Sequence, residues 1–251
     1  MSKRLATAAG LATALVAIVV GVTPAGADTN LCVATNDAVR VQKGSATCDA
    51  NGKGSTAIAK GDESSATATD GDHNRARASG EGSYAVAGAG EHNTAVASGD
   101  QSSAQAAYGD NNTATASGDR SIAFAAGGGD NNTATASGND SIAEAHAGDN
   151  NTATASGDGS IASAIVGNNN TATASGDGSI AETFGGDNNT ATASGNGSSA
   201  AVSYGSNNTA TASNDGSTAW AGFGGDNNTA TATSTNCLAD ATGGSNLNAS
   251  C

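Results

Sequence analysis

Seven copies of one phrase, Asn-Asn-Thr-Ala-Thr-Ala followed by Ser or Thr, run between Asn111 and Thr233, led by Thr113, Thr133, Thr152, Thr171, Thr190, Thr209 and Thr229. The steps between them are 20, 19, 19, 19, 19 and 20 residues. So steady a period requires one structural unit stacked on itself, each copy burying its apolar side against its neighbours.

The unit divides into two similar halves reading Gly-x-x-(Asn or Ser)-x-Ala-x-Ala, as in residues 109–117 and 118–126. First halves begin at Gly52, Gly71, Gly90, Gly109, Gly129, Gly148, Gly167, Gly186, Gly205 and Gly225, which gives ten coils. Counting Gly as position 1, position 6 is alanine throughout, and position 8 departs from it at Thr183 and Val202. Positions 5 and 7 accept Arg75, Arg77, Gln105, Phe124, Glu144, Glu182 and Trp220. Successive side chains of a strand face opposite ways, so the alanine row points inward and the variable row outward. A helix fails on the same residues, because the alternation has period 2 and Gly-Asp or Gly-Asn interrupts it.

The sequence therefore predicts an all-β fold, a flat two-sided parallel β-solenoid (a β-helix or β-roll) of about ten 19-residue coils with disulfide-bonded end caps. Turns fall at Gly-Asp-Asn-Asn and Gly-Asp-Gly-Ser, where Gly supplies positive φ and Asp or Asn closes an Asx-turn. An alanine core buries little apolar area, so stability leans on backbone ladders. It leans also on the inward column Asn74, Asn93, Asn112, Asn132, Asn151, Asn170, Asn189, Asn208 and Asn228, whose stacked amides are expected to bond one another.

Four segments are predicted. Lys3 and Arg4, the apolar run 11–22 and Ala25-Gly26-Ala27 read as a secretory signal peptide over residues 1–27. The run is shorter than the ~20 residues that span a bilayer. An N-terminal cap over 28–51, the repeat domain over 52–233 and a C-terminal cap over 234–251 follow. The caps hold all four cysteines, Cys32, Cys48, Cys237 and Cys251. Nine intervals of ~4.8 Å separate the two ends by about 43 Å, whereas bridged cysteines need Cα atoms within ~7 Å. Cys32 is thus expected to pair with Cys48, and Cys237 with Cys251. A metal site on these cysteines is disfavoured, since none shows Cys-x-x-Cys spacing.

Without Lys3 and Arg4, seven positive side chains stand against 23 negative, a charge of about −16. That balance argues against nucleic acid or an anionic membrane as a partner. Pro24 is the only proline, so nothing in the repeats breaks a continuous ladder.

The outward positions of the first halves form a grid. Thr113 and Thr115, Thr133 and Thr135, Thr152 and Thr154, Thr171 and Thr173, Thr190 and Thr192, Thr209 and Thr211, and Thr229 and Thr231 are spaced ~4.8 Å across coils and ~6.6 Å along a strand. Ser117, Ser137, Ser156, Ser175, Ser194, Ser213 and Thr233 make a third column. Threonine is also simply a good strand former. Yet the second halves of the same units read Ile122 and Phe124, Ile142 and Glu144, Ile161 and Ser163, Ile180 and Glu182, Ser199 and Ala201, Thr218 and Trp220. One face varies while the other stays uniform, so duplication alone does not account for the grid.

The Thr-x-Thr ranks resemble the ice-binding faces of hyperactive β-solenoid antifreeze proteins, and the Asn-Asn-Thr-x-Thr-x-Ser-Gly wording is similar to a grass antifreeze repeat. The resemblance implies that regularly spaced hydroxyls and methyls order a water layer that matches the ice lattice and freezes to the crystal. It carries over to the fourteen threonines above and covers seven of the ten coils. It stops in the first three, where Thr56 and Ile58, Arg75 and Arg77, and Thr94 and Val96 stand. A second resemblance competes: Gly-Glu-Gly-Ser-Tyr-Ala-Val-Ala and Gly-Asp-Gln-Ser-Ser-Ala-Gln-Ala look like head repeats of trimeric autotransporter adhesins, though without a stalk or anchor. The expected function is a secreted, extracellular, non-enzymatic protein whose partner is ice or ordered water. The alternative is an adhesin-like or structural solenoid that meets a cell surface or extracellular matrix through its variable face.

Other motifs carry less. His73, His92 and His146 form no triad with a serine, and His73 and His92 with Asp72 and Glu91 read as exposed turn residues before they read as a metal site. Asp110, Asp130, Asp149, Asp187 and Asp226 recur at one corner, and Asp100, Asp119, Asp158, Asp177 and Asp215 at another. Solvated Asx-turn acids are the expectation there, with bridging Ca²⁺ as the alternative and no cofactor required. Asn111-Asn112-Thr113 and its copies match glycosylation sequons as a by-product of the repeat. Tyr108, Val166, Tyr204 and Phe223 share one corner position and are expected to cover the thin core or to form a self-association seam.

Overall fold

The computed structural model describes residues 30–251, and the signal-peptide reading of residues 1–27 lies outside them. Every regular element among the described residues is a β-strand, 24 in chain order from Leu31–Thr35 to Asn248–Ser250. They form a 13-stranded sheet, here the threonine sheet, and an 11-stranded sheet, here the variable sheet, which the chain visits alternately in a parallel β-solenoid of about 11 turns.

Register repeats without a slip through the parallel part. On the threonine sheet Thr113 pairs with Thr133 and Ala114 with Ala134, and the next strand pairs Thr133 with Thr152. The variable sheet aligns Ile122 with Ile142 and Ile142 with Ile161. The two 20-residue steps fall where Gly127-Gly128 and Gly224 lengthen the corner after a variable-sheet strand, and a Cβ on Gly128 or Gly224 would meet nothing within 4 Å. Insertions therefore leave the strands undisturbed.

The alanines of both rows are fully buried from Ala57 to Ala232, with Val202 and Thr183 as the larger exceptions. A core of methyl groups contributes little transfer free energy per coil, and polar ladders replace it. Asn74 to Asn228 are all buried, but their amides do not bond one another as the sequence suggested. Each Oδ1 from Asn74 to Asn208 accepts the backbone N–H of the next asparagine in the column, as from Asn170 to Asn151 at 3.0 Å, and that of Asn228 accepts the Leu247 N–H. The Nδ2 of Asn151 donates to the Gly167 carbonyl of the next coil at 2.8 Å. The asparagine side chain thus fills the gap in the backbone ladder at a corner, where the chain turns too sharply for strand pairing. A buried serine column serves the opposite corner, where Ser160 Oγ donates to the Gly157 carbonyl at 2.7 Å.

The corner acids also bridge coils rather than closing local Asx-turns. Asp110 Oδ1 accepts the N–H of Glu91 at 2.8 Å, and Asp130 Oδ1 that of Asp110 at 2.8 Å. At the other corner Asp119 Oδ1 accepts from Asp100 at 3.0 Å. Close stacking makes glycine obligatory beside these acids: a Cβ on Gly148, which has φ 153°, would stand 1.9 Å from the Gly167 oxygen.

Both ends are closed covalently. Cys32 is bonded to Cys48 with Cα atoms 5.5 Å apart, and Cys237 to Cys251 at 6.1 Å. At the N-terminal end Leu31–Thr35 runs antiparallel to Thr56–Lys60, and Ala38–Lys43 runs antiparallel outside it. At the other end Leu238–Thr242 and Asn248–Ser250 continue the parallel ladders beyond residue 233.

Candidate functional site

The fourteen grid threonines lie in two unbroken columns. Thr113, Thr133, Thr152, Thr171, Thr190, Thr209 and Thr229 are direct cross-strand partners in succession, as are Thr115, Thr135, Thr154, Thr173, Thr192, Thr211 and Thr231. Six intervals of ~4.8 Å make each column about 29 Å long. The array passes into Thr94 and Val96 at one end and into Asn248 and Ser250 at the other.

Each threonine of the grid is half-buried between buried alanines. Threonine is β-branched and stiff at χ1, and direct cross-strand neighbours restrict it further. Among the described residues, the threonine hydroxyls bonded to protein are those of Thr35, Thr233 and Thr242, all outside the grid. The grid hydroxyls are therefore free of protein hydrogen-bond partners and available to water. The third column is more exposed, with Ser213 the half-buried member.

The variable sheet offers no such order. Its outward positions hold a short isoleucine row, Ile122, Ile142, Ile161 and Ile180, beside Phe124, Glu144, Ser163, Glu182, Ala201 and Trp220. A shallow cavity of about 380 Å³ lies over Ser163, between Glu144 and Glu182. Tyr108, Val166, Tyr204 and Phe223 do not cover the core: they project from left-handed corner residues (φ 57°, 60°, 47° and 59°) and are exposed. Phe184 meets Tyr204 edge to face at 5.4 Å.

His73 and His92 stack with ring centroids 4.8 Å apart at exposed corner positions, and no group of three or more potential metal ligands occurs among the described residues. Arg120 and Asp140 form an exposed ion pair one coil apart, with Nε to Oδ1 at 2.6 Å; the hydrogen bond from Arg120 holds the Asp140 carboxyl below its ordinary value. Comparison with known protein families, curated proteins and solved structures gives no match.

Proposed function

We propose that the protein is a secreted, non-enzymatic ice-binding protein and that the fourteen grid threonines are its ice-contacting residues. The observation that carries this reading is the register. Seven successive coils place threonine on threonine in both columns without a bulge, while the sister face, built from the same repeats, keeps isoleucine in one column for four coils and varies in the other.

The physical route is through water. Methyl groups packed in rows disfavour bulk-like hydration, whereas unengaged hydroxyls at fixed spacing anchor water molecules. The ladders of buried asparagine and corner acid keep that spacing from fluctuating. Water held so is pre-arranged for a crystal lattice, and binding costs little further ordering. The absence of charge on the grid suits an uncharged crystalline partner.

An adhesive reading draws on the other face, where Trp220, Phe184 and Tyr204 stand exposed. Slow growth of an ice hemisphere from a dilute solution of the purified protein distinguishes the two. Enrichment in the ice fraction is expected, and exclusion into the liquid with other solutes refutes the proposal.

A further inference from the structure

The threonine sheet changes character at its N-terminal end. Register places Thr35, Thr56, Arg75 and Thr94 in one outward row, and Val33, Ile58, Arg77 and Val96 in the next, with Val41 beyond Val33. In the third row Leu31 lies between Lys43 and Lys60. Arg40 is the extra residue where the outer strand shifts register, and its Nε donates to Thr35 Oγ1 at 3.2 Å. These five cationic side chains are all exposed.

None of the five is ion-paired within the described residues. Leu31–Thr35, Ala38–Lys43, Thr56–Lys60, Arg75–Ala78 and Thr94–Ala97 contain no Asp or Glu. The ion pair found among the described residues is Arg120 with Asp140, far along the solenoid. Three carboxylates of the flanking turns are turned to the backbone or to an amide: Asp37 accepts the N–H of Gly52, Asp72 that of Lys53, and Asp62 the side-chain amide of Asn30; Glu63, Asp70, Glu81 and Glu91 form no ion pair with the five cations. Beyond Arg77 the chain has one further Lys or Arg, Arg120. An acidic rod thus gathers most of its positive charge on one flat patch about 19 Å across, five strands at ~4.8 Å.

We propose that this patch is a second binding surface, specific for a linear anionic polysaccharide. Unpaired cations ~6.6 to ~9.6 Å apart suit a ligand that presents anionic groups in succession, and guanidinium groups bind sulfate or carboxylate through two parallel N–H donors. Thr56 and Thr94, in the row of Arg75, offer hydroxyl partners to sugar hydroxyls. The five strands carry no aromatic residue on which a nucleobase would stack. Their short aliphatic side chains lie among the cations on a flat sheet and give nothing to insert into a lipid layer. A second copy brings a charge of about −16 against the same charge, and its corner carboxylates already accept backbone amides.

The experiment is chromatography of the mature protein on immobilised dextran sulfate. A protein of this net charge is expected to pass an anionic matrix; the proposal requires retention at low salt and release as salt rises. Arg75→Ser with Arg77→Ser should weaken apparent affinity about tenfold or more while leaving the circular dichroism, thermal midpoint and ice partition unchanged. Arg120→Ser should elute with wild type. Flow-through of the wild-type protein overturns the proposal, as does retention indifferent to the double substitution. Binding to phosphatidylserine vesicles without binding to dextran sulfate overturns it in favour of lipid, and a mass that doubles with concentration at low salt overturns it in favour of self-association. Ice partition and retention read different residues, so either reading can fail alone.

Discussion

Replacing Asn151 with alanine tests what holds the thin core together. Its Oδ1 accepts the buried Asn170 N–H at 3.0 Å, and its Nδ2 donates to the half-buried Gly167 carbonyl at 2.8 Å. Alanine strands both backbone groups, at about 1–3 kcal/mol each, so the expected cost is about 2–6 kcal/mol. Folded proteins hold only about 5–15 kcal/mol in total, so a cost of this size is a large and measurable share of it. Asn132 supplies an internal comparison. Its Oδ1 accepts the Asn151 N–H at 2.9 Å, but its Nδ2 has no partner. Asn132→Ala should therefore strand one group and cost about 1–3 kcal/mol. Guanidinium unfolding followed by far-ultraviolet circular dichroism gives both values by linear extrapolation. A cost for Asn151→Ala below about 0.5 kcal/mol, the level of an unremarked surface change, or a larger cost at Asn132, would refute the view that asparagine replaces the backbone ladder.

Three further outcomes follow from local geometry. Gly148→Ala sets a Cβ 1.9 Å from the Gly167 carbonyl and should lower the thermal midpoint sharply or prevent folding, whereas Gly128→Ala, with nothing within 4 Å but φ 89°, should cost only its backbone strain. Val166 holds φ 60° with an exposed β-branched side chain; Val166→Asn should raise stability by about 1 kcal/mol, read as a higher midpoint. Opening Cys237–Cys251 by paired serine substitutions should cost about 2–4 kcal/mol, and hydrogen exchange should show the loss spreading from that end while the central threonine coils stay protected.

Much of this architecture was legible in the repeat. Period 2 within period 19 assigned alanine inward and threonine outward, and the length of the stack separated the cysteines into two local pairs. Side-chain bonding was not legible at the same level. A column of asparagines in sequence is equally compatible with amide stacking and with amide-to-backbone bonds, and only the depth of the corner selects the second. The corner aspartates likewise read as local turn closers, because sequence does not show how near the next coil passes. Residues 234–251 lack most of the repeat wording yet continue both sheets; the signal was there in Ala239, Ala241 and Ala249, which keep the small alternating row, and in Gly244-Ser245-Asn246, which matches the corner Gly205-Ser206-Asn207. The antiparallel N-terminal strands had a signal too. Two alternating runs flank Asn36-Asp37, and both residues adopt the left-handed conformation, φ 47° and 63°, that such a tight reversal requires. The cationic patch was present as Arg75 and Arg77 interrupting the threonine rank and as Lys60 two places after Ile58 in the first coil, but Arg40 and Lys43 reach the same face only through the antiparallel register.

The ice-binding proposal rests on the middle of the grid, and thermal hysteresis of Thr152→Tyr, Thr171→Tyr and Thr190→Tyr combined tests it most directly. These residues are consecutive partners on adjacent strands and face outward, and tyrosine is a good strand former, so the fold and its midpoint should be retained. Wild-type protein is expected to open a gap between melting and freezing and to facet ice crystals, and the triple variant to lose both. A wild type without hysteresis, or a folded triple variant that keeps it, would contradict the assignment of the threonine face to ice.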